Sequence, residues 1–208
     1  YTESGTSVAT DANGNVIVTG TFFSASITFG NITLTKPDSS SAHMFVAKYS
    51  PNGDVLWAKM AATDETYGNA VTTDLNGDIY VGGDLWGDTI SFDSLTVVLP
   101  QTYSNAAFLV KYTADGTVVW AKMGLNGRGV SGVATDANGQ VYITGIFNNQ
   151  INFDNNLVNS IGACYGIFLT KYDSQGNFLW AKATNYSFAG AGTPDAASKS
   201  VCTDINNN

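Results

Sequence analysis

The chain has 208 residues, a net charge of −8 at pH 7 and a pI near 4.3. Six of its nine basic residues (Lys48, Lys59, Lys111, Lys122, Lys171, Lys182) stand at recurring positions, too few and too scattered for the basic groove that nucleic acid or an anionic membrane requires. Hydrophobic residues make up 44% and charged residues 12% with 22 glycines; this is a turn-rich β composition, and no stretch offers the roughly 20 apolar residues of a membrane-spanning helix.

In chain order, the small and β-branched run Gly5–Thr10 reads as a first strand and closes on the turn Asp11-Ala-Asn-Gly14. Val16–Phe22 reads as a second strand. A long connection follows, and its Ile27-Thr-Phe-Gly-Asn-Ile-Thr-Leu34 segment predicts a small extra hairpin. Met44–Tyr49 is the third strand, Ser50-Pro-Asn-Gly53 a turn, and Val55–Met60, with Trp57-Ala-Lys59, the fourth. The pattern then starts again at Gly68–Thr73 and ends at Trp120-Ala-Lys122, and again at Val130–Thr135, ending at Trp180-Ala-Lys182. Val201-Cys-Thr-Asp-Ile-Asn206 opens a fourth copy. Such a fixed period of roughly 60 residues marks a repeat architecture. Matching hairpins are predicted at Ile90–Val97 and Ile151–Val158.

The turns have a chemical basis. An Asp or Asn side chain accepts hydrogen bonds from backbone N–H groups just ahead of it, and glycine takes the positive φ of a tight hairpin. Asn-Gly, Asp-Gly or Gln-Gly recurs at 13–14, 52–53, 76–77, 115–116, 138–139 and 175–176. Each copy is therefore an antiparallel four-stranded meander. Small residues on the first strand suit a crowded axis. The fourth strand is apolar on both faces, as expected of a sheet held between two neighbours. A solenoid coil needs only about 20–25 residues and an immunoglobulin-like unit about 100. The expected fold is all-β: a β-propeller with four-stranded antiparallel blades at 1–66, 67–128 and 129–197, and the first strand of a further blade at 198–208.

Val8-Ala-Thr-Asp-Ala-Asn-Gly-Asn-Val-Ile-Val-Thr-Gly20, Phe45-Val-Ala-Lys-Tyr-Ser-Pro-Asn-Gly53 and Leu56-Trp-Ala-Lys59 resemble the SBBP-type β-propeller repeat, over nearly the whole chain. The resemblance implies an exported bacterial protein, of the kind that Bacteroidota send to the cell surface through type IX secretion. That family has no shared catalytic residues to carry over. Propellers close with about four to eight blades, so the expectation is an unfinished ring, completed by further blades of a longer chain or by another copy of this one.

The recurring residues are expected to be framework. Asp11, Asp74 and Asp136 resemble the opening of a calcium loop, but such loops need more oxygen ligands and a terminal acid; the turn cap is the expected role, with calcium the lesser reading and no other cofactor. Lys48, Lys111 and Lys171 are expected to pair with a nearby acid or carbonyl, and Trp57, Trp120 and Trp180 are expected to be structural positions of the repeat. Function is then sought in what differs. Trp86, beside Asp84, Asp88 and Asp93, can offer a platform for a sugar ring, although Phe23 and Phe147 are expected near the corresponding places as packing aromatics. His43 is the only histidine, and Arg128 reads as a solvated loop residue. Cys202 reads as a buried free thiol, with a Cys164–Cys202 disulfide as the alternative in an exported chain.

The function expected is a non-catalytic binding or scaffold module, extracellular or on the bacterial cell surface. It would present loops on rigid blades for adhesion to a protein or a glycan. A glycan-active enzyme using the central face and a passive spacer in a long adhesin are the alternatives.

Overall fold

The computed structural model describes residues 3–37, 42–160, 165–184 and 198–204. Its strands are β1 (Ser4–Thr10), β2 (Val16–Phe22), β3 (Ser26–Phe29), β4 (Ile32–Thr35), β5 (His43–Tyr49), β6 (Val55–Thr73), β7 (Ile79–Phe92), β8 (Leu95–Val98), β9 (Asn105–Tyr112), β10 (Val118–Thr135), β11 (Val141–Phe153), β12 (Asn156–Asn159), β13 (Tyr165–Tyr172) and β14 (Phe178–Ala183). There is no helix among the described residues. A 12-stranded sheet runs in the order β1-β2-β5-β6-β7-β9-β10-β11-β13-β14, with β8 on β7 and β12 on β11. β3 and β4 form their own pair, every pairing described is antiparallel, and the sheet does not close: β1 and β14 are its two ends.

The meanders and the three extra hairpins stand where the sequence places them, with two differences: the second strand runs straight into the extra hairpin in β7 and β11, and the repeats are joined without a break. The fourth strand of one repeat and the first strand of the next are a single strand, in β6 and again in β10. Residues 55–60 of β6 pair with β5, and from Ala61 onward β6 pairs with β7. Register shifts between Thr63 and Glu65 and between Gly68 and Ala70 let the strand bend from one partner to the other without a turn.

Alternation along the strands sends successive side chains into two cores. Ile79, Val81, Phe108 and Val110 face a cluster shared with Ile17, Met44 and Val46 of the first repeat. Tyr80, Ala107 and Leu109, one residue out of step, face a cluster shared with Val133, Ile143 and Phe168 of the third. The middle repeat is thus covered on both faces, and β9 is buried at every position after Asn105. Fully burying one such side chain contributes about 1.5–3 kcal/mol.

Toward the inner edge the backbones crowd. A Cβ on Gly83 would fall 1.9 Å from the Tyr67 carbonyl oxygen and 2.6 Å from the Phe108 ring, so only glycine fits there. The outer edge differs from expectation. Leu56, Val119 and Leu179 on the fourth strands are 49%, 49% and 43% exposed; in β6 and β10 the turn of the next repeat covers the tryptophan face of the strand, one residue out of step with Leu56 and Val119.

Candidate recognition surface

The turn that closes each first strand is built on its aspartate. Asp11 Oδ1 accepts from the backbone N–H of Asn13 (3.0 Å) and Asn15 (2.9 Å). Asp74 does the same for Asn76 and Asp78, and Asp136 for Asn138 and Gln140. The second oxygen is also engaged: by Asn15 Nδ2 on Asp11 (2.8 Å), by Tyr80 OH on Asp74 (3.0 Å) and by Tyr142 OH on Asp136 (3.2 Å). Both oxygens of each of these three carboxylates therefore accept from nitrogen or hydroxyl donors. Among the described residues, no group of three or more His, Cys, Asp or Glu side chains is placed to hold a metal ion.

Lys48 and Lys111 finish these caps and reach onward. Lys48 Nζ lies 2.9 Å from Asp11 Oδ2 and donates to the Ala114 carbonyl of the next repeat at 2.9 Å. Trp57 Nε1 donates to that same carbonyl at 3.3 Å. One repeat on, Lys111 Nζ lies 2.9 Å from Asp78 Oδ2, and Lys111 Nζ and Trp120 Nε1 donate to the Ser174 carbonyl at 3.2 and 3.3 Å. Lys171 Nζ sits 4.7 Å above the Tyr142 ring. Burial alone would raise the Asp11 pKa, but hydrogen bonds from Asn15 and Lys48 and the Lys48 charge outweigh it and hold the carboxyl at about 2.

A second ladder runs along the innermost strands. Thr73 Oγ1 donates to Thr10 O (2.9 Å), Thr135 Oγ1 to Thr73 O (2.8 Å) and Thr203 Oγ1 to Thr135 O (2.7 Å). Each such bond contributes about 1 kcal/mol. These threonines and the adjoining Asp11, Asp74 and Asp136 ring a shallow concavity of about 460 Å³.

The three carboxylates near Trp86 part company. Asp93 forms the tip of the β7–β8 hairpin at φ 48° and pairs with Lys59 of the first repeat at 2.8 Å. Asp88 is exposed; its side chain accepts from Thr89 Oγ1 at 2.8 Å, and its N–H goes to Asp64 Oδ2, also at 2.8 Å. Asp84 turns inward: Oδ1 accepts from Asn69 Nδ2 at 2.8 Å, and a Cβ on Gly129 would fall 1.7 Å from it. Burial drives the Asp84 pKa up to about 7, against the downward pull of the Asn69 hydrogen bond.

Trp86 itself is 42% exposed. Arg128, the chain's single arginine, is half-buried rather than solvated. Its guanidinium carbon lies 5.5 Å from the Trp86 ring centre and 5.2 Å from that of Tyr165, whose hydroxyl accepts from Nη1. The stack therefore bridges the second and third repeats. Phe23 does occupy the position of Trp86 in its own repeat, on the ring of Tyr67 at 6.3 Å. Phe147 does not: it is fully buried opposite Gly166, and the residue in step with Trp86 is Asn148, opposite Tyr165. A one-residue offset puts a strand side chain on the other face. Arg128, Tyr165 and Asn69 are the members that sequence reasoning missed; the one signal for them was a lone arginine between two glycines, Gly127-Arg-Gly129.

His43 is fully buried, with Nδ1 3.0 Å from the Ala61 carbonyl. Cys202 carries an exposed free thiol, against the expected buried one. Its counterpart Ala134 is buried because β11 pairs alongside, whereas residues 198–204 have no such sheet partner among the described residues. Cys164, and with it the pairing to Cys202, lies outside the described residues. No helix among the described residues is long and apolar enough to cross a membrane.

No protein-family model matches the chain. Over 164 residues it is 31% identical to an uncharacterised WD repeat-containing protein of Acanthamoeba polyphaga mimivirus, an alignment that covers 71% of this chain and 12% of that protein. The chain is a β-rich, repeat-type protein that resembles a WD repeat-containing protein over a small part of that protein's length.

Proposed function

We propose that the chain is a non-catalytic recognition scaffold of the β-propeller type, each four-stranded repeat being one blade, and that it binds a protein or glycan outside the cell. WD repeats are propeller blades, and the likeness to a WD repeat-containing protein supports the blade assignment. The SBBP-type repeat and the bacterial cell-surface setting are part of the same proposal and rest on the sequence resemblance alone.

One observation carries the binding reading. The residues that recur are spent on one another across the seams, as in the paired donors Lys48 and Trp57 on Ala114 O, whereas among the described residues the half-exposed stack of Trp86, Arg128 and Tyr165 occurs at one seam only. A rigid aromatic stacked on a cation offers contact area with little conformational freedom left to lose on binding. The non-catalytic part is supported by the three separate engagements of Asp84, Asp88 and Asp93. Glycoside hydrolysis asks two carboxylates to face one scissile bond.

The test is a binding screen of the intact chain against arrays of glycans and of surface proteins, repeated with Trp86→Ala and Arg128→Ala. The expected result is a ligand that both variants bind at least about tenfold more weakly, a loss of about 1.4 kcal/mol, while the melting temperature falls by no more than about 4 °C. A ligand bound equally by all three proteins would overturn the assignment, and so would consumption of the ligand.

A further inference from the structure

Arg128 is fixed from several sides. Two amides hold the backbone around it: Asn105 Nδ2 donates to the Gly127 carbonyl at 3.0 Å, and Asn126 Nδ2 donates to the Asn148 and Gln150 carbonyls at 3.2 and 3.0 Å. On its other side Gly129 takes φ 111° and packs so tightly on Asp84 that no Cβ fits. The guanidinium is then held over two rings, Trp86 and Tyr165, and by the Tyr165 hydroxyl.

No carboxylate meets this cation. Lys48, Lys59, Lys111 and Lys122 each pair with an aspartate, but among the described residues Arg128 makes no ion pair. A guanidinium has five N–H donors, and among the described residues only Nη1 has an acceptor, the Tyr165 hydroxyl. The chain has 17 acidic side chains against nine basic ones, so an acid was not in short supply. Those along the same stretch of β6 and β7 have other partners. Asp64 Oδ2 accepts from the N–H groups of Asp88 and Thr89, Glu65 Oε1 from the Tyr67 hydroxyl, Asp84 Oδ1 from Asn69 Nδ2, and Asp88 Oδ1 from Thr89 Oγ1.

The free donors lie beside an indole that is 42% exposed. Trp86 is interior to the sheet: β7 is paired there with Glu65 of β6 on one side and Asn105 of β9 on the other. No strand edge is open at that point for an extended peptide to join. What the surface offers is a flat ring beside a fork of N–H groups, and that fork matches a planar carboxylate. We propose that the ligand of the Trp86 stack is an acidic glycan, one carboxylated sugar residue lying on the indole with its carboxylate accepting from the Arg128 guanidinium. The net charge of −8 repels polyanions at long range, so the site selects glycans that carry isolated acid groups. The inference rests on the recognition reading above and adds the chemistry of the ligand.

The test is titration calorimetry of the intact chain with short oligosaccharides ending in glucuronic, galacturonic, mannuronic or sialic acid. Each is compared with its carboxyl methyl ester, with a sulfated neutral sugar and with a short Asp/Glu peptide. At least one acidic oligosaccharide should bind, and its methyl ester should bind at least about tenfold more weakly. Arg128→Gln should remove that preference, leaving acid and ester equally weak, and Trp86→Ala should weaken both. Arg128→Lys keeps the charge without the fork and should retain part of the preference; it carries the test should Arg128→Gln fold poorly by circular dichroism. The proposal is overturned if no acidic oligosaccharide binds, if esters bind as well as acids, or if the preference survives Arg128→Gln. It is overturned too if the sulfated sugar or the acidic peptide binds more tightly than every carboxylated sugar. A neutral glycan or a protein bound through Trp86 would sink this inference and leave the recognition reading standing. That reading fails only if Trp86→Ala and Arg128→Ala weaken no ligand of any kind.

Discussion

Gly116 lies against the indole of Trp57, so close that a Cβ on it would fall 2.9 Å from Cδ2. The two residues belong to successive repeats, and the contact joins the turn of one to the outer strand of the other. Gly53 has the same backbone conformation without the neighbour, which separates backbone strain from steric exclusion.

Gly53→Ala should therefore cost only the strain of a positive φ, about 1–2 kcal/mol. Gly116→Ala adds the collision with Trp57 and should cost about 2–4 kcal/mol in all. Urea unfolding of the two variants at neutral pH measures the difference.

The Lys48–Asp11 pair is buried, with 4% and 1% of the two side chains exposed. Removing the cation leaves a buried carboxylate alone, and Lys48→Met should cost about 3–5 kcal/mol at neutral pH. The folded Asp11 pKa of about 2 is below its ordinary 3.8. Its contribution is therefore present above about pH 4 and is lost as pH falls through about 2. Unfolding free energies across that window should show a steeper acid limb in the unaltered chain than in Asp11→Asn.

Asp84 behaves in the opposite sense. Its folded pKa of about 7 is above the ordinary 3.8, so its contribution is complete below about pH 4 and is lost as pH rises through 7. Asp84→Asn should be the more stable protein at pH 8, by about 1–2 kcal/mol, with the advantage shrinking steadily toward pH 4. A pH series of denaturant midpoints for both proteins checks the sign.

Arg128→Ala removes the cation between two rings and should cost about 0.5–1 kcal/mol. It should also raise acrylamide quenching of the tryptophan fluorescence, by an increment that vanishes in a Trp86→Phe background. Arg128→Lys keeps the charge and loses the planar stack, and should fall between the two.

The framework was legible because it recurs. Trp57, Lys48 and the Asp11 turn announce their roles through their copies, and period-two alternation placed β2 at Val16–Phe22. The run-through of β6 and β10 was not legible, because the same alternation suits one bent strand or two strands with a turn between them. Nor was the stack of Trp86, Arg128 and Tyr165. Its members come from different repeats and have no shared period, so only the fold brings them together. Phe147 shows the limit most sharply: the aromatic was visible in the sequence, but its face depended on a one-residue register that pairing with β13 decides.

The central claim is that recurring residues lock neighbouring repeats and leave function to the residues they do not share. Alanine substitution of the three recurring tryptophans, read by urea unfolding, tests it most directly. Trp57 and Trp120 each seat a turn of the next repeat, and each substitution should cost about 2–4 kcal/mol. Trp180→Ala should cost no more than about 1 kcal/mol. Equal losses at all three positions would contradict the account.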